Sequence, residues 1–303
     1  MQPIYLQKAM KFNPKVHDIR GFGIQRKLDG VRVQLVIDID GKCRIYSRSK
    51  TKTTGDFNEY TEKLPHIVSI VEQLDLKNTI LDGEACVFKF ETDQLNYSYV
   101  SGTLNMKADK CLATQQDQGL IKVVLFDVPT MDEPYRLRHK FLMESIVDET
   151  HLSLNPMIIN KDDEYMVEFN KIVNSGGEGI ILYDMYAKYK HSSERCQVSK
   201  HVLKIKGVNE CELLVVAKEE GLGKCSGTLG ALVCKDGEGK TVRVGTGMTD
   251  EERSYLMTIP TPFVIEITYQ EKTEDSYRHP AYYRLRLDKD ADSWNKGDDD
   301  DTV

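Results

Sequence analysis

The chain has 303 residues, of which 40% are hydrophobic and 29% are charged, and its formal net charge is −7. This composition supplies a folded core, allows two domains and excludes a chain that is disordered throughout. No apolar run approaches the roughly 20 residues that span a bilayer, and the first twelve residues lack the apolar stretch of a secretory signal. We therefore expect a soluble, non-secreted protein that makes no membrane contact.

The negative charge is unevenly distributed along the chain. Residues 288–303 contain seven acids and two lysines. Residues 20–52, in contrast, contain nine bases and three acids, and residues 186–208 contain six bases and one acid. Local basic surfaces can bind a polyanion whatever the overall charge is. The sequence therefore keeps nucleic acid open as a partner.

The first two-thirds of the chain mixes strand and helix patterns. Apolar residues alternate within residues 24–37, and Asp29-Gly30 predicts a hairpin turn between two strand arms. The pattern predicts further strands at 79–90, 121–128 and 179–183, and helices at 64–74, 138–147 and 162–174. Too few helices separate these strands for a doubly wound fold. We therefore expect an α+β domain built on antiparallel sheet, over residues 1–206.

After Lys206 the pattern changes to short strands. They are predicted at 212–218, 228–234, 241–246, 263–269 and 282–287, with one helix at 250–257 between the third and the fourth. Five strands and one helix within about 100 residues are typical of a small OB-fold β-barrel, which we place at residues 207–289. Residues 290–303 are polar and contain four consecutive aspartates, so we expect an acidic, disordered tail.

The most informative motif is Lys27-Leu28-Asp29-Gly30-Val31-Arg32. A lysine is a nucleophile once its ammonium loses a proton, and nearby cations lower its pKa. Alone, this pattern also fits a solvated lysine beside a turn. Five further motifs follow in order: Asp82-Gly83-Glu84, Phe126-Asp127, Glu178-Gly179, Lys204-Ile205-Lys206 and Arg284-Leu285-Arg286-Leu287-Asp288-Lys289.

This ordered series, from about residue 24 to residue 289, resembles the nucleotidyltransferase motifs of compact, viral or phage-like ATP-dependent DNA ligases. The resemblance implies an adenylation domain followed by an OB-fold domain, ATP as AMP donor, and Mg²⁺ or Mn²⁺ as cofactor. It implies nicked double-stranded DNA as partner, with roles in DNA replication, repair and recombination. It also implies a monomer in the cytoplasm, or in the host-cell cytoplasm for a viral protein.

The resemblance implies three phosphoryl transfers, each an in-line displacement. Lys27 attacks ATP, forms lysyl-AMP and releases pyrophosphate. The AMP then moves to the 5′-phosphate of a nick, and the adjoining 3′-hydroxyl displaces it. In this scheme Arg286, Asp288 and Lys289 orient the pyrophosphate, which requires the barrel to swing over the ATP site.

The resemblance also assigns the remaining residues of the cofactor site. Gln25 corresponds to an adenine contact, where related ligases often have glutamate, and a surface strand residue is the alternative. Phe126 corresponds to the ring that stacks on adenine, and a core phenylalanine is the alternative. Arg32 and Arg48 correspond to phosphate-binding arginines that hold the 5′-phosphate of the nick.

Two carboxylates and two lysines complete the implied site. Glu84 corresponds to the ribose contact and Glu178 to the metal-binding carboxylate, and both are candidate metal ligands because Mg²⁺ prefers oxygen. Lys204 and Lys206 alternate with an isoleucine, so they face one side of a strand. The resemblance places both of them at the α-phosphate, where they offset developing charge.

Other functions remain open at this point. An mRNA-capping guanylyltransferase shares the lysine motif and the barrel but uses GTP, and an RNA ligase is a second alternative. A non-catalytic OB-fold protein that binds nucleic acid is a third. An NAD⁺-dependent ligase is disfavoured because only 26 residues precede Lys27. The barrel loops at 219–227 and 235–240 are short, so we expect no long inserted hairpin that closes around the duplex. Binding to DNA should then depend on contacts to phosphates.

Overall fold

A computed structural model describes residues 1–51, 54–87, 96–146, 150–161, 164–192, 194–207, 209–223, 226–269, 271–272, 276–289, 291 and 294. The chain divides into two compact units, residues 1–207 and residues 208–303. The expected acidic tail lies almost wholly outside the described residues. So do residues 88–90, 147 and 162, where three of the predicted elements begin or end.

The first unit is built from strands and helices in alternating groups. Its described strands are β1 (Lys8–Lys11), β2 (Gly23–Arg26), β3 (Val31–Ile37), β4 (Cys43–Lys50), β5 (Phe57–Glu59), β6 (Thr79–Cys86), β7 (Lys122–Asp127), β8 (Leu152–Leu154), β9 (Met157–Ile159), β10 (Gly179–Tyr183) and β11 (Val198–Lys206). Its described helices are α1 (Pro65–Glu72), α2 (Tyr97–Leu104), α3 (Ala108–Gln118), α4 (Tyr135–Ser145) and α5 (Glu164–Asn174).

These strands form two sheets. The first has the order β1-β11-β10-β2-β9, and the second has the order β5-β4-β3-β6-β7-β8. Neighbouring strands are antiparallel except for the β1–β11 and β7–β8 pairs, which are parallel. The expected α+β class built on antiparallel sheet is therefore confirmed, and the unit contains two such sheets.

The alternating pattern of β3 produces the main core of this unit. Val33, Leu35 and Ile37 are fully buried on one face of the second sheet. They pack with Ile67 and Val71 of α1 in the same hydrophobic cluster. Because alternate strand residues point to one face and residues at helical spacing to one stripe, both elements bury their apolar side together.

The predicted hairpin at Asp29-Gly30 is wrong. β2 pairs with β9 and β10, whereas β3 pairs with β4 and β6, so the two arms belong to different sheets. Gly30 is needed here because a Cβ at this position would collide with the carbonyl oxygen of Ala85 in β6. The local pattern predicts a turn, but it does not reveal which strands pair. The consequence is that the lysine motif lies where the chain crosses between sheets.

Helices α2 and α3 were not predicted. α2 has the sequence YSYVSGTL, which is rich in poor helix formers. It is stabilised by Asn96, whose side chain accepts a hydrogen bond from the backbone N–H of Tyr99 at 3.1 Å, and by the buried Val100 and Leu104. Tertiary packing therefore outweighs local propensity in this segment.

The second unit is a small barrel. Its elements are β12 (Asn209–Glu220), β13 (Leu229–Lys235), β14 (Thr241–Val244), α6 (Asp250–Thr258), β15 (Phe263–Tyr269), β16 (Glu271–Lys272), β17 (Tyr277–Arg278) and β18 (Ala281–Leu285). Five strands form a sheet of order β14-β13-β12-β15-β18, and a bridge between Thr246 and Ala281 joins its two edges. The five predicted barrel strands and the helix are confirmed, whereas the β16–β17 hairpin was not predicted.

In the part of the chain that the structure describes, no helix is both long enough and apolar enough to cross a membrane.

Candidate active site

Lys27 lies directly after β2, where the chain crosses between the two sheets. Its backbone N–H donates to the carbonyl oxygen of Gly179 at 2.8 Å, and its Nζ donates to Oε2 of Glu178. The Lys27 side chain is 20% exposed and that of Glu178 is 4% exposed. Lys27 lines a cavity of about 730 Å³ whose walls come from both sheets of the first unit. The lysine is therefore fixed at an accessible wall and paired with a buried carboxylate.

Two further lysines surround the same carboxylate. Nζ of Lys206 lies 2.7 Å from Oε1 of Glu178, and both Lys204 and Lys206 line the cavity, as their alternation on β11 predicts. Burial tends to raise the pKa of Glu178, but Lys27 and Lys206 outweigh this and hold its pKa below the usual range. Burial and the nearby lysine charges lower the pKa of Lys204. The result is a cationic wall suited to phosphate.

Glu84 is a second carboxylate on the cavity wall. It lies on β6 opposite Arg32 of β3. Burial raises the pKa of Glu84 to about 7, against the opposing charges of Lys27 and Arg32. Among the described residues, no group of three or more His, Cys, Asp or Glu side chains is assembled as a metal site. The donor set fits a hard cation held by one or two carboxylates, with phosphate and water supplying its other ligands.

Phe126 supplies an aromatic wall to the cavity. It lies on β7 directly before the last residue of the strand, Asp127, is 7% exposed, and packs with Leu28, Cys86 and Val124. The guanidinium of Arg32 lies 5.2 Å from the centre of its ring. The side chain thus belongs to a small apolar cluster and also faces the cavity, which gives an apolar contact for a planar base.

Gln25 is almost completely buried on β2, at 1% exposure, so the surface-residue alternative is wrong. Its Nε2 donates to the backbone carbonyl of Asn155 at 2.7 Å. Its Oε1 is buried and has no hydrogen-bond partner among the described residues. Gln25 itself does not line the cavity, although its neighbours Arg26 and Asn155 do. An unsatisfied buried acceptor beside the cavity fits a ligand N–H group.

Arg32 and Arg48 both line the cavity, but their environments differ. Arg32 donates from Nε and Nη2 to Asp82 at 2.9 and 2.6 Å, and from Nη1 to the carbonyl oxygen of Gln7 at 2.8 Å. Nε of Arg48 is buried and has no hydrogen-bond partner in the described part of the chain. The first guanidinium is therefore held in place by protein groups, and the second has an unused donor.

The barrel motif lies in the second unit and binds carboxylates of the barrel. Arg286 donates from Nε and Nη2 to Asp288 at 2.9 and 2.7 Å, and its Nη1 pairs with Glu212. Nζ of Lys289 lies 3.8 Å from Oε2 of the same Glu212. The three predicted residues are therefore grouped at the end of β18.

Comparison with known families decides where this chain belongs. Residues 6–206 match the profile of the ATP dependent DNA ligase domain, and residues 220–286 match that of the DNA ligase OB-like domain. The chain belongs to the ATP-dependent DNA ligase family. The family resemblance that the motifs suggested is confirmed, as is the combination of an adenylation fold with an OB-like barrel.

Curated relatives of this ligase-family chain are longer than it is. A probable DNA ligase of Streptomyces coelicolor is 26% identical over 312 residues, which cover 94% of this chain and 58% of the relative. A DNA ligase of Natronomonas pharaonis is 27% identical over 312 residues, covering 91% of this chain and 54% of the relative. The chain thus spans a little more than half the length of these relatives.

Two solved structures share the fold over most of their length. A Lig E DNA ligase, studied for DNA binding with a minimal scaffold, aligns with a TM-score of 0.71 at 17% identity and covers 93% of this chain and 98% of that one. The ATP-dependent DNA ligase of bacteriophage T7, in complex with ATP, aligns with a TM-score of 0.53 at 16% identity, with 93% and 98% covered. At these identities the likeness is one of fold.

Several cavity residues of this ligase fold escaped the sequence analysis. They are Lys8, Ser47, Ser49, Tyr97, Asn155 and Tyr183. Lys8 belongs to β1, which pairs in parallel with β11 through Lys8 and Val198. No local pattern reveals such a pairing between distant segments. Ser47 and Ser49 flank Arg48 on β4, so the Ser-Arg-Ser motif offered a signal for both serines.

Proposed function

We propose that this protein is an ATP-dependent DNA ligase that seals nicks between a 5′-phosphate and a 3′-hydroxyl in duplex DNA. The observation that carries the proposal is Lys27 on the cavity wall, with its Nζ paired to Glu178 and with Lys204 and Lys206 beside it. Phe126 gives the same cavity an aromatic wall. A fixed lysine, a cationic wall and an aromatic ring are what adenylate transfer from ATP requires.

In the first step the Lys27 amine attacks the α-phosphorus of ATP. A bond forms between Nζ and phosphorus, the bond from phosphorus to the bridging oxygen breaks, and pyrophosphate leaves with its electron pair. The ammonium must first lose a proton, because only the neutral amine has the lone pair that attacks phosphorus, and Glu178 holds Nζ in place through the hydrogen bond that it accepts. Lys204 and Lys206 then offset the charge that develops on the phosphate oxygens.

Glu84 and Glu178 are the residues that would hold Mg²⁺ or Mn²⁺ in this site. Both are oxygen donors near Lys27, and the charge of Glu178 is one of the influences that raise the pKa of Glu84. Such an ion, when bound, neutralises phosphate charge. Glu84 also remains our candidate for the ribose contact, Phe126 for stacking on adenine and Gln25 for the adenine amino group.

In the later steps AMP passes from Lys27 to the 5′-phosphate, and the 3′-hydroxyl then displaces AMP to form the phosphodiester. We assign the 5′-phosphate to Arg32 and Arg48, because a guanidinium binds phosphate oxygens in a bidentate manner. The unused Nε of Arg48 supports this assignment, since a buried donor without a partner is costly.

The barrel supplies the remaining part of the proposal. Arg286, Asp288 and Lys289 orient the pyrophosphate during the first step only. We propose an adenylation domain at residues 1–206 and an OB domain at 207–289. We further propose that the protein acts on nicked DNA as a cytoplasmic monomer.

A sealing assay tests the proposal. A duplex with one 5′-phosphorylated nick is incubated with the protein, Mg²⁺ and either ATP, GTP or NAD⁺ as sole cofactor. We expect sealing with ATP alone, and none with the Lys27→Ala variant. Covalent labelling from GTP would instead indicate a guanylyltransferase. DNA binding without any covalent label would indicate a non-catalytic OB-fold protein.

A further inference from the structure

A closed ring of hydrogen bonds joins Arg32 to Asp82, Tyr189 and Gln7. The guanidinium donates to Asp82 from Nε and Nη2 and to the carbonyl oxygen of Gln7 from Nη1. The Tyr189 hydroxyl donates to Oδ2 of Asp82 at 2.7 Å and accepts from the backbone N–H of Gln7 at 3.1 Å. Four distant segments of the chain therefore meet in one ring.

The ring reaches the cavity at Arg32 and at Gln7, and its other two members are buried and do not line the cavity. Asp82 is 0%, Gln7 3% and Tyr189 9% exposed, whereas the Arg32 side chain is 19% exposed and lines the cavity. A guanidinium carries five N–H groups, of which the ring uses three. One N–H on each terminal nitrogen is not used by the ring, and these two groups can donate to phosphate oxygens.

We propose that Tyr189 is a positioning residue, which fixes the Asp82 carboxylate and through it the orientation of Arg32 for the 5′-phosphate of a nick. This inference rests on the proposed ligase function and deepens it. Tyr189 itself does not line the cavity, so it acts through its two partners.

The Tyr189 hydroxyl is suited to this role because it binds the Asp82 carboxylate, which accepts both hydrogen bonds of the ion pair with Arg32. Oδ2 of Asp82 accepts from Tyr189 and from Nη2 of Arg32, so loss of the hydroxyl leaves Arg32 as the one side chain, among the described residues, that holds the carboxylate. The same loss removes the partner of the Gln7 N–H. Burial and Asp82 raise the pKa of Tyr189 well above its usual range, so the hydroxyl keeps its proton.

The barrel offers a matched control for removing such a hydroxyl. Tyr277, at 7% exposure, donates to the buried Asp236 at 3.1 Å, and Asp236 also pairs with a cation, Lys272, at 3.5 Å. Tyr277→Phe therefore removes a buried tyrosine–aspartate hydrogen bond of the same kind as Tyr189→Phe does. Tyr277 belongs to the second unit and is not among the described residues that line the cavity.

The experiment uses the full chain, purified with AMP on Lys27 and kept in EDTA without divalent cation so that AMP is not transferred, and two nicked duplexes that carry either a 5′-phosphate or a 5′-hydroxyl at the nick. The dissociation constant for the 5′-hydroxyl duplex divided by that for the 5′-phosphate duplex measures the contact to the phosphate, and we call it the preference ratio. We expect Tyr189→Phe to reduce this ratio about fivefold to tenfold, the size of one well-made hydrogen bond. Tyr277→Phe should leave the ratio at the parent value, and Tyr189→Phe should add nothing to Arg32→Ala.

Each other outcome overturns a distinct claim. If Tyr189→Phe keeps the parent ratio, or changes it only as much as Tyr277→Phe does, the positioning role is wrong while the ligase proposal stands. An additional loss in the Arg32→Ala background would show that Tyr189 does not act through Arg32. A parent protein with no preference for the 5′-phosphate would overturn the proposed function itself. Urea unfolding of both tyrosine variants identifies any loss that comes from general destabilisation.

Discussion

Each of the two units holds a cluster in which one glutamate pairs with two cations, and the two glutamates differ in burial. In the first unit Glu178, whose side chain is 4% exposed, bridges Lys27 and Lys206. In the barrel Glu212, whose side chain is 28% exposed, bridges two cations of the predicted pyrophosphate motif. Removing one partner from a buried ion pair is costly, whereas exposed pairs contribute little. We therefore expect the ion pairs of Glu178 to be held firmly in the first unit. The ion pairs of Glu212 in the barrel should exchange more easily for other partners.

This difference suits the two roles that we propose. The nucleophile must hold its position before ATP arrives, and a shared buried carboxylate achieves this. Arg286 and Lys289 must instead exchange Glu212 for a pyrophosphate oxygen and release it after one step. Glu212 is partly exposed, which permits that exchange because water solvates its carboxylate when the cation leaves.

The largest expected effect comes from neutralising the buried glutamate. Glu178→Gln leaves Lys27 and Lys206 without their shared counter-charge, and we expect the rate of lysyl-AMP formation to fall about 100-fold or more. Glu212→Gln is the matched change in the barrel and should alter that rate by no more than about twofold. Single-turnover labelling with ATP measures both rates. Similar losses in the two variants would contradict the contrast between the clusters.

The second prediction separates the steps of the reaction. Arg286→Ala or Lys289→Ala should slow lysyl-AMP formation about 10- to 100-fold, because each removes a charge from the pyrophosphate. Sealing of a nick that already carries AMP should stay within about twofold, since no pyrophosphate is present in that step. Arg284→Ala, which removes an exposed arginine of β18 paired with Glu266 on the neighbouring strand β15, is the control. An equal loss in both assays would remove the motif from the first step.

A third prediction measures what burial costs a carboxylate of the site. Burial raises the pKa of Glu84 from its ordinary value of 4.5 to about 7, so ionised Glu84 lowers the free energy of unfolding at pH 8. As the pH falls through 7 and towards 4.5, the folded protein binds the proton before the unfolded chain does, and this destabilisation disappears. Glu84→Gln should therefore raise the free energy of unfolding by about 1–3 kcal/mol at pH 8. The gain should shrink towards pH 5, as measured by urea unfolding.

Destabilisation by Glu84→Gln at pH 8 would show that the carboxylate is stabilised in its ionised form. The same substitution should lower lysyl-AMP formation, because a neutral amide is a poorer metal ligand than a carboxylate. A variant that is more stable and less active is the combination that a functional buried charge predicts.

The smallest expected effect concerns an exposed lysine at the cavity. Lys8→Ala should weaken binding to nicked DNA about twofold to fivefold and reduce the salt dependence by about one phosphate contact. Lys11 is also exposed and is the last residue of the same strand, β1, but it does not line the cavity. Lys11→Ala is therefore the control. Indistinguishable salt slopes for the two variants would exclude a specific role for Lys8.

Much of the site was predictable from the sequence because its residues lie in short, ordered motifs. Lys204 and Lys206 alternate on one strand, and both line the cavity as that alternation predicts. The contacts that hold the site were not predictable in the same way. Asp82 and Tyr189 lie 107 residues apart, and nothing local in either segment indicates that they meet.

The errors in the fold have the same origin. The alternation of apolar residues correctly predicted β3. The Asp29-Gly30 sequence, however, does not indicate that β2 and β3 pair in different sheets. Helix α3 has little apolar character, and it is fixed by contacts such as the 2.8 Å bond from Gln115 Nε2 to the carbonyl oxygen of Lys63. Patterns along the chain reveal elements, whereas partners distant in sequence decide how the elements assemble.

The most direct test of the central claim is to locate the AMP group by mass spectrometry. The protein is incubated with ATP and Mg²⁺, kept at neutral or basic pH and digested with trypsin, which cleaves after Arg26 and Arg32 but not after a modified lysine. We predict that one AMP group is carried by the peptide of residues 27–32, at Lys27, and that Lys27→Ala carries none. AMP on another lysine of the cavity, such as Lys204 or Lys206, or a normal yield of adduct in Lys27→Ala, would contradict the account.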